Sequence, residues 1–219
     1  MKRIAILAAM GMEAEPLTRG MENLRTEQHA DKEFLCGKIG QAEVILHICG
    51  VGMRHAAQGV RALVDNYRPD LLLNYGVSGG MMPDMPLGKT VVATSSFPCS
   101  GKAYKAGIAE PTDKALAAFA AAILCDTHKS PVCTSQALII NKKRKARIVA
   151  QSGAVCIDME SYVIAKITNE LGIPLLVIRC LSDTLEPKSL LSFSKNGKAA
   201  AEKVAGEVEI VIRKIGEKR

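Results

Sequence analysis

Apolar residues recur along this 219-residue chain in two rhythms. Short, nearly unbroken apolar runs mark strands buried on both faces. They occupy residues 3–9 (RIAILAA), 42–48, 71–75, 90–95, 154–157 and 175–178 (LLVI). Residues 33–39 and 42–48, joined by Gly40-Gln41, have hairpin spacing, and 130–133 reads as a short strand. Elsewhere apolar positions fall three and four apart, which predicts helices. These run from about Glu13 to Met21, with Pro16 in the first turn, and from about Met53 to Asn66, with Ala56, Ala57, Val60, Leu63 and Val64 on one face. Others cover the alanine-rich 112–124, a stretch capped by Asn141 and ending near Gln151, and a helix carrying Val163, Ile164, Ile167 and Leu171 that Gly172 and Pro174 stop. A last helix carries Ala201, Val204, Val208, Val211 and Ile212. The segments 76–80, 96–110 and 184–188 are expected to be turn or loop. Alternating strands and helices with an early hairpin predict an α/β fold: three layers, αβα, around a central mixed β-sheet, in one domain spanning residues 1–219.

In open α/β sheets the ligand crevice lies beyond the carboxyl ends of the strands. Three acids stand at such ends: Glu13 after Met10-Gly11-Met12, Glu160 within Asp158-Met159-Glu160-Ser161, and Asp183 closing Arg179-Cys180-Leu181-Ser182-Asp183. Each also suits an ordinary structural role, Glu13 and Glu160 as first-turn helix acids and Asp183 as a turn or cap residue. Two glycine-rich segments, Gly50-Val51-Gly52 and Gly76 to Gly80, are expected to fall on the same rim. A Gly-x-Gly between strand and helix lets backbone N–H groups approach an anion or a ribose. It lacks the third glycine of a dinucleotide fingerprint and the lysine of a P-loop. Ser78 resembles a nucleophile elbow only superficially, since no helix follows it and no histidine partner is evident. Met159 suits a core position, and its thioether can also lie against a sugar face.

Composition narrows the choice. The formal charge is +7, concentrated in Lys142-Lys143-Arg144-Lys145 with Arg147 and in Arg213, Lys214, Lys218 and Arg219. Both groups are expected to be solvated helix faces. With no Trp and 4% aromatics, binding of nucleic acid by base stacking is disfavoured. Seven scattered cysteines without C-x-x-C spacing suit small buried residues in a reducing cytoplasm. The four histidines show no metal-ligand spacing, so no metal is expected. The opening apolar run is short and leads to no cleavage-type site, so it reads as the first strand and not a leader. No run is long enough to span a bilayer.

Four segments, taken in order, resemble the purine nucleoside phosphorylase and methylthioadenosine/S-adenosylhomocysteine nucleosidase family. They are Ala8-Ala9-Met10-Gly11-Met12-Glu13, Gly50-Val51-Gly52, Asn74-Tyr75-Gly76-Val77-Ser78-Gly79-Gly80, and Asp158-Met159-Glu160-Ser161 with Arg179 to Asp183. The resemblance implies a twisted, nucleoside phosphorylase-like sheet, a homodimer or higher oligomer, and cleavage of a purine nucleoside without metal or organic cofactor. By motif position it gives Asp183 the proton donated toward purine N7 and Glu160 the ribose hydroxyls. Met159 packs on the sugar, and Glu13 orients or deprotonates water with Arg179 nearby. Leu138 and Ile139 line the base, Ser78 and Gly79 shape the nucleophile side, and Ser182 joins the binding set beside Asp183. These residue types suit an oxocarbenium-like transition state, in which an acid protonates the departing base and a carboxylate faces the developing cation.

Three departures refine the expectation. The larger phosphorylases of this family carry an early Gly-Asp-Pro-x-x-Arg-like phosphate loop, where this chain has Met10-Gly11-Met12-Glu13; an acid there repels phosphate and favours water. Val77 stands where methylthioadenosine nucleosidases usually have Ser. The segment after Ser95 is too short for the aromatic loop that packs on a 5′-alkylthio group, which implies a more open 5′ pocket. Asp158 to Ser161 and Ser182 to Pro187 also resemble the branch associated with hopanoid biosynthesis, which acts on adenosylhopane. The expected reaction is therefore hydrolysis of a 5′-substituted adenosine (methylthioadenosine, S-adenosylhomocysteine or adenosylhopane type) with release of adenine. The rivals are a phosphorylase binding phosphate through Ser78, Arg54 or Arg179, and a non-catalytic nucleoside- or RNA-binding protein using Lys142 to Lys145.

Overall fold

Strand β1 (Arg3–Ala8) lies parallel between β4 (Ala42–Ile48) and β5 (Leu71–Gly80). The structure is a computed structural model describing residues 1–100, 105–184 and 189–218, with backbone alone at 100, 105–106 and 189–195. Next to β5 runs β11 (Leu175–Asp183), parallel to it, then β6 (Thr90–Ser100), antiparallel to β11. Beyond β6 come β9 (Thr127–Ser135) and β10 (Cys156–Asp158), each parallel to its predecessor. β10 then pairs antiparallel with the end of β5, Cys156 opposite Gly80 and Ile157 opposite Gly79. Five strands thus close a ring at the carboxyl end of β5. On the other side the sheet continues through β4 to β3 (Lys32–Ile39) and β2 (Glu22–His29), an antiparallel meander. Two short strands, β7 (Lys105–Ala106) and β8 (Glu110–Pro111), pair with β6.

Helices cover both faces. α1 (Gly11–Thr18), α3 (Lys114–Ile123) and α6 (Ser189–Glu217) pack on one, and α2 (Met53–Tyr67) and α5 (Ser161–Leu171) on the other. α4 (Lys142–Ser152) lies beside the ring, its Ile148 packed with Ile139 and Ile157. The predicted stripe of α6 (Ala201, Val204, Val208, Val211 and Ile212) is fully buried, each large aliphatic side chain contributing about 1.5–3 kcal/mol of burial. Asn141 caps α4 as expected, its Oδ1 accepting the Arg144 N–H at 3.1 Å. The three layers and mixed sheet match the pattern read from the sequence. No helix among the described residues is long and apolar enough to cross a membrane.

Several boundaries differ from expectation. The glycine-rich stretch 76–80 is not a turn but the end of β5. Its glycines serve close approach: a Cβ on Gly76 would lie 2.3 Å from Glu13 Oε1, and one on Gly80 would lie 2.8 Å from the Asp183 carbonyl oxygen. β11 likewise continues through Arg179 to Asp183, and β6 runs on to residue 100, where a loop was expected from 96. β2 was not foreseen, because ENLRTEQH is polar and exposed; only its pairing with β3 makes it a strand. α1 starts at Gly11, so Pro16 falls in its second turn. Of the loop expected at 184–188, residues 185–188 lie outside the described residues, Pro187 among them.

Candidate active site

The end of β5 works as a rail carrying two carboxylates. At one point stands Glu13, third residue of α1. Its Oε2 accepts the N–H groups of Ala9 (3.1 Å) and Met10 (3.0 Å), and its Oε1 accepts that of Val77 (2.9 Å). The Tyr75 hydroxyl donates to the Glu13 backbone oxygen at 2.7 Å, holding the first turn of α1 against β5. Glu13 is buried, and burial raises its pKa; the three N–H groups and the Arg179 charge oppose that rise. Further along, the Gly80 N–H donates to Asp183 Oδ1 at 2.9 Å. Burial also raises the Asp183 carboxyl, against the Lys145 charge and the Gly80 bond. Val77 and Gly80 are three strand residues apart, or about 10 Å. That is close to the reach from a nucleophile at a sugar to the far edge of a purine.

Glu160 comes from across the cavity, at the junction of β10 and α5. Its Oε1 accepts the Gly52 N–H at 2.7 Å and its Oε2 the Met159 N–H at 3.2 Å. Gly52 has φ +104°, a conformation that favours glycine. The Gly-x-Gly turn therefore does present an N–H to an anion, but the anion is the protein's own side chain. Burial, with Asp158 adding to it, pushes the Glu160 carboxyl up to about 7.

Glu13, Glu160 and Asp183 line one cavity of about 390 Å³, together with Ser78, Gly79, Leu138, Ile139 and Met159. That volume lies within the range of small-molecule sites. A larger, more open depression of about 550 Å³ elsewhere, bordered by Lys2, Lys38, Asp70 and Lys218, gathers no comparable set.

Two predicted site residues lie beneath the lining. Arg179 is buried; its Nε donates to Asp158 Oδ2 and its Nη2 to Ser161 Oγ, both at 2.8 Å, and Nη2 also bonds Asn74 Oδ1. Asp158 in turn accepts from Thr134 Oγ1 (2.7 Å), from Ser161 Oγ, and from the N–H groups of Glu160 and Ser161 (3.3 Å each). This network fixes the turn that carries Glu160. A guanidinium engaged on three sides holds structure in place of a ligand. Ser182 is fully buried, its Oγ donating to the Ser78 carbonyl at 3.2 Å.

Among the described residues, the one cationic residue of the lining was missed. Lys145, expected in a solvated run, is 2% exposed and borders the cavity. The signal was available: Lys145 sits three residues before buried Ile148, on the apolar stripe of α4. Among the described residues, no three His, Cys, Asp or Glu side chains are grouped to hold a metal ion.

The twisted mixed sheet with this cluster at its strand ends is a nucleoside phosphorylase-like α/β fold. The phosphorylase superfamily model matches residues 3–213, and the chain belongs to that superfamily. It is 28% identical to 5′-methylthioadenosine/S-adenosylhomocysteine nucleosidase of Chromohalobacter salexigens, over 99% of both chains. It is also 28% identical to the nucleosidase of that name from Bacillus subtilis, over 97% of this chain and 99% of the relative. Among solved structures, that nucleosidase from S. pneumoniae, bound to a transition-state inhibitor, superposes with a TM-score of 0.90 at 23% identity, covering 97% and 99% of the two chains. A futalosine hydrolase mutant of Helicobacter pylori superposes with a TM-score of 0.91 at 19% identity, covering 98% and 100%.

Proposed function

We propose that this protein is an N-glycosidase that hydrolyses a 5′-substituted adenosine and releases adenine. The observation that carries the choice of water over phosphate is the seat of Glu13. Its carboxylate already fills the cluster of N–H groups from Ala9, Met10 and Val77, the kind of backbone nest that otherwise takes an anion. The buried cation nearest that end, Arg179, is committed to Asp158. A phosphate dianion would find that nest already occupied by a carboxyl group, whereas water meets a hydrogen-bond acceptor.

The roles follow from the three environments. Burial raises the Asp183 carboxyl, which favours its protonated form, and Asp183 gives a proton to purine N7 as the C1′–N9 bond lengthens. Glu160 accepts hydrogen bonds from the ribose hydroxyls and faces the developing oxocarbenium ion. Glu13, also raised by burial and so the stronger base, takes a proton from the water that attacks C1′. Met159 lies along the sugar, and Leu138 and Ile139 along the base. Val51 lines the cavity yet remains 45% exposed, which suits an apolar 5′ group and a homodimeric or higher assembly closing over it. All seven cysteines are free, which supports a reducing cytoplasmic setting.

The test is base release from nucleosides carrying methylthio, homocysteinyl and bulky apolar 5′ groups, with and without phosphate. Adenine and free ribose derivative at equal rates in both buffers are expected. Dependence on phosphate, with ribose 1-phosphate as product, would make the protein a phosphorylase.

A further inference from the structure

Helix α4 brings a charged side chain to the leaving-group end of the cavity. Lys145 is buried, borders the cavity, and its Nζ donates to the Gly80 carbonyl at 2.8 Å. The N–H of the same residue, Gly80, donates to Asp183 Oδ1 at 2.9 Å. A single glycine thus stands between an ammonium and a carboxyl. An ammonium carries three donors, and among the described residues this carbonyl is the one hydrogen-bond acceptor given to Lys145 Nζ. Burying a charge with so little compensation is costly. A position in line with Ile148 on the apolar stripe of α4 could be filled by Met or Leu without that cost. Burial lowers the Lys145 ammonium and Asp183 opposes the shift. Glu13 from α1, Asp158 and Glu160 from β10 and its turn, and Arg179 from β11 lie along or under the same cavity. The balance at Asp183 is set instead by burial, Lys145 and Gly80.

We propose that Lys145 is the positioning residue of the leaving-group end: its ammonium stabilises the Asp183 carboxylate as that carboxylate forms, and its bond to Gly80 holds the residue that orients Asp183. The inference rests on the reading of Asp183 as general acid. In the step concerned, the Asp183 O–H bond breaks and an N7–H bond forms, while the C1′–N9 bonding pair moves into the purine. Asp183 passes from neutral to anionic inside a buried site, and water supplies the hydroxyl to C1′ and its proton to Glu13. A fixed positive charge beside the new anion strengthens its interaction as the transition state is reached. Burial keeps the proton on Asp183 until then, and Lys145 keeps it from being held too firmly.

The experiment compares Lys145→Met and Lys145→Arg, each in the parent and in an Asp183→Asn background, by kcat for adenine release across pH. In the parent background, Lys145→Met is expected to lower kcat about 10- to 100-fold. Its basic limb should move to higher pH, because a carboxyl freed of the cation holds its proton longer. Lys145→Arg should recover most of the rate. In the Asp183→Asn background, where no carboxylate forms, Lys145→Met should add less than about a twofold loss. An unmoved basic limb, an undiminished loss in the Asp183→Asn background, or an Arg variant no better than Met overturns the proposal. If Lys145→Met does not fold, Lys145→Gln is read by the same criteria. A parent-like rate for Asp183→Asn alone overturns the general-acid assignment, and is seen separately.

Discussion

The two carboxylates hung on β5 are both buried and both raised by burial, yet they are furnished differently. Among the described residues Glu13 receives three backbone N–H groups and no side-chain cation in hydrogen-bond contact. Asp183 receives, among the described residues, one N–H and has a lysine on the far side of the glycine that supplies it. A carboxylate wrapped in N–H groups is held in place as an anion and can receive a proton. One given fewer N–H groups is less firmly held as an anion, which suits a group that carries a proton. Both groups are buried carboxyls, so the difference is in furnishing, and on the proposed function it would separate a base from an acid about 10 Å along one strand.

The strongest way to break this comparison is to neutralise each end. Asp183→Asn should lower kcat by about two to four decades on a purine nucleoside. It should spare a riboside whose leaving group, such as nitrophenolate, departs without a proton. Glu13→Gln should be slow on both. Equal losses for the two variants on both substrates would erase the distinction between the ends.

A second prediction concerns the frame under them. Removing Arg179 strands Asp158, buried with its partner at 2% exposure on both sides. Arg179→Met should cost about 3–5 kcal/mol of stability, read as a lowered urea midpoint. A midpoint within experimental error of the parent would mean that the network does not hold the Glu160 turn.

Next in size are the glycines. Gly76→Ala places a Cβ 2.3 Å from Glu13 Oε1, whereas Gly79→Ala places one 3.2 Å from Asp183 Oδ1. The first should lower kcat/KM at least about tenfold by displacing the base, and the second by less. Reversed order would show that the Asp183 end is the more rigid of the two.

The smallest effect is graded by pH. Glu160 has its carboxyl raised to about 7, so it is neutral below that pH and ionised above it. The ribose hydroxyls need the ionised acceptor, so KM should rise about tenfold per unit as pH falls below 7. Glu160→Gln should flatten that limb. Stability should run the other way. A carboxyl raised above its unfolded value binds its proton in the native state first, so its contribution favours folding as pH falls from about 7 toward 4.5. A KM that is flat from pH 5 to 8 would remove Glu160 from ribose binding.

Much of the architecture was legible because it rests on local patterning. Apolar runs and helical stripes placed most core elements, with Asn141 starting α4 and Gly172 stopping α5 where expected. β2 escaped because its residues are polar and only a neighbour's backbone makes it a strand. The stretch 76–80 was misjudged because glycine serves turning and close approach alike. Which applies depends on Glu13, more than sixty residues away in the chain.

The linear order of residues was enough to establish the layered α/β class, the three acids and their ordered motifs, since each depends on spacing along the backbone. Tertiary structure alone decided what surrounds each acid. It turned the Gly52 N–H toward Glu160, set Arg179 beneath the cavity instead of inside it, and buried one lysine of a basic run beside Asp183. The physical reason is that a carboxylate's proton affinity is set by the donors, charges and water within a few ångströms, and those neighbours are brought there by distant parts of the chain.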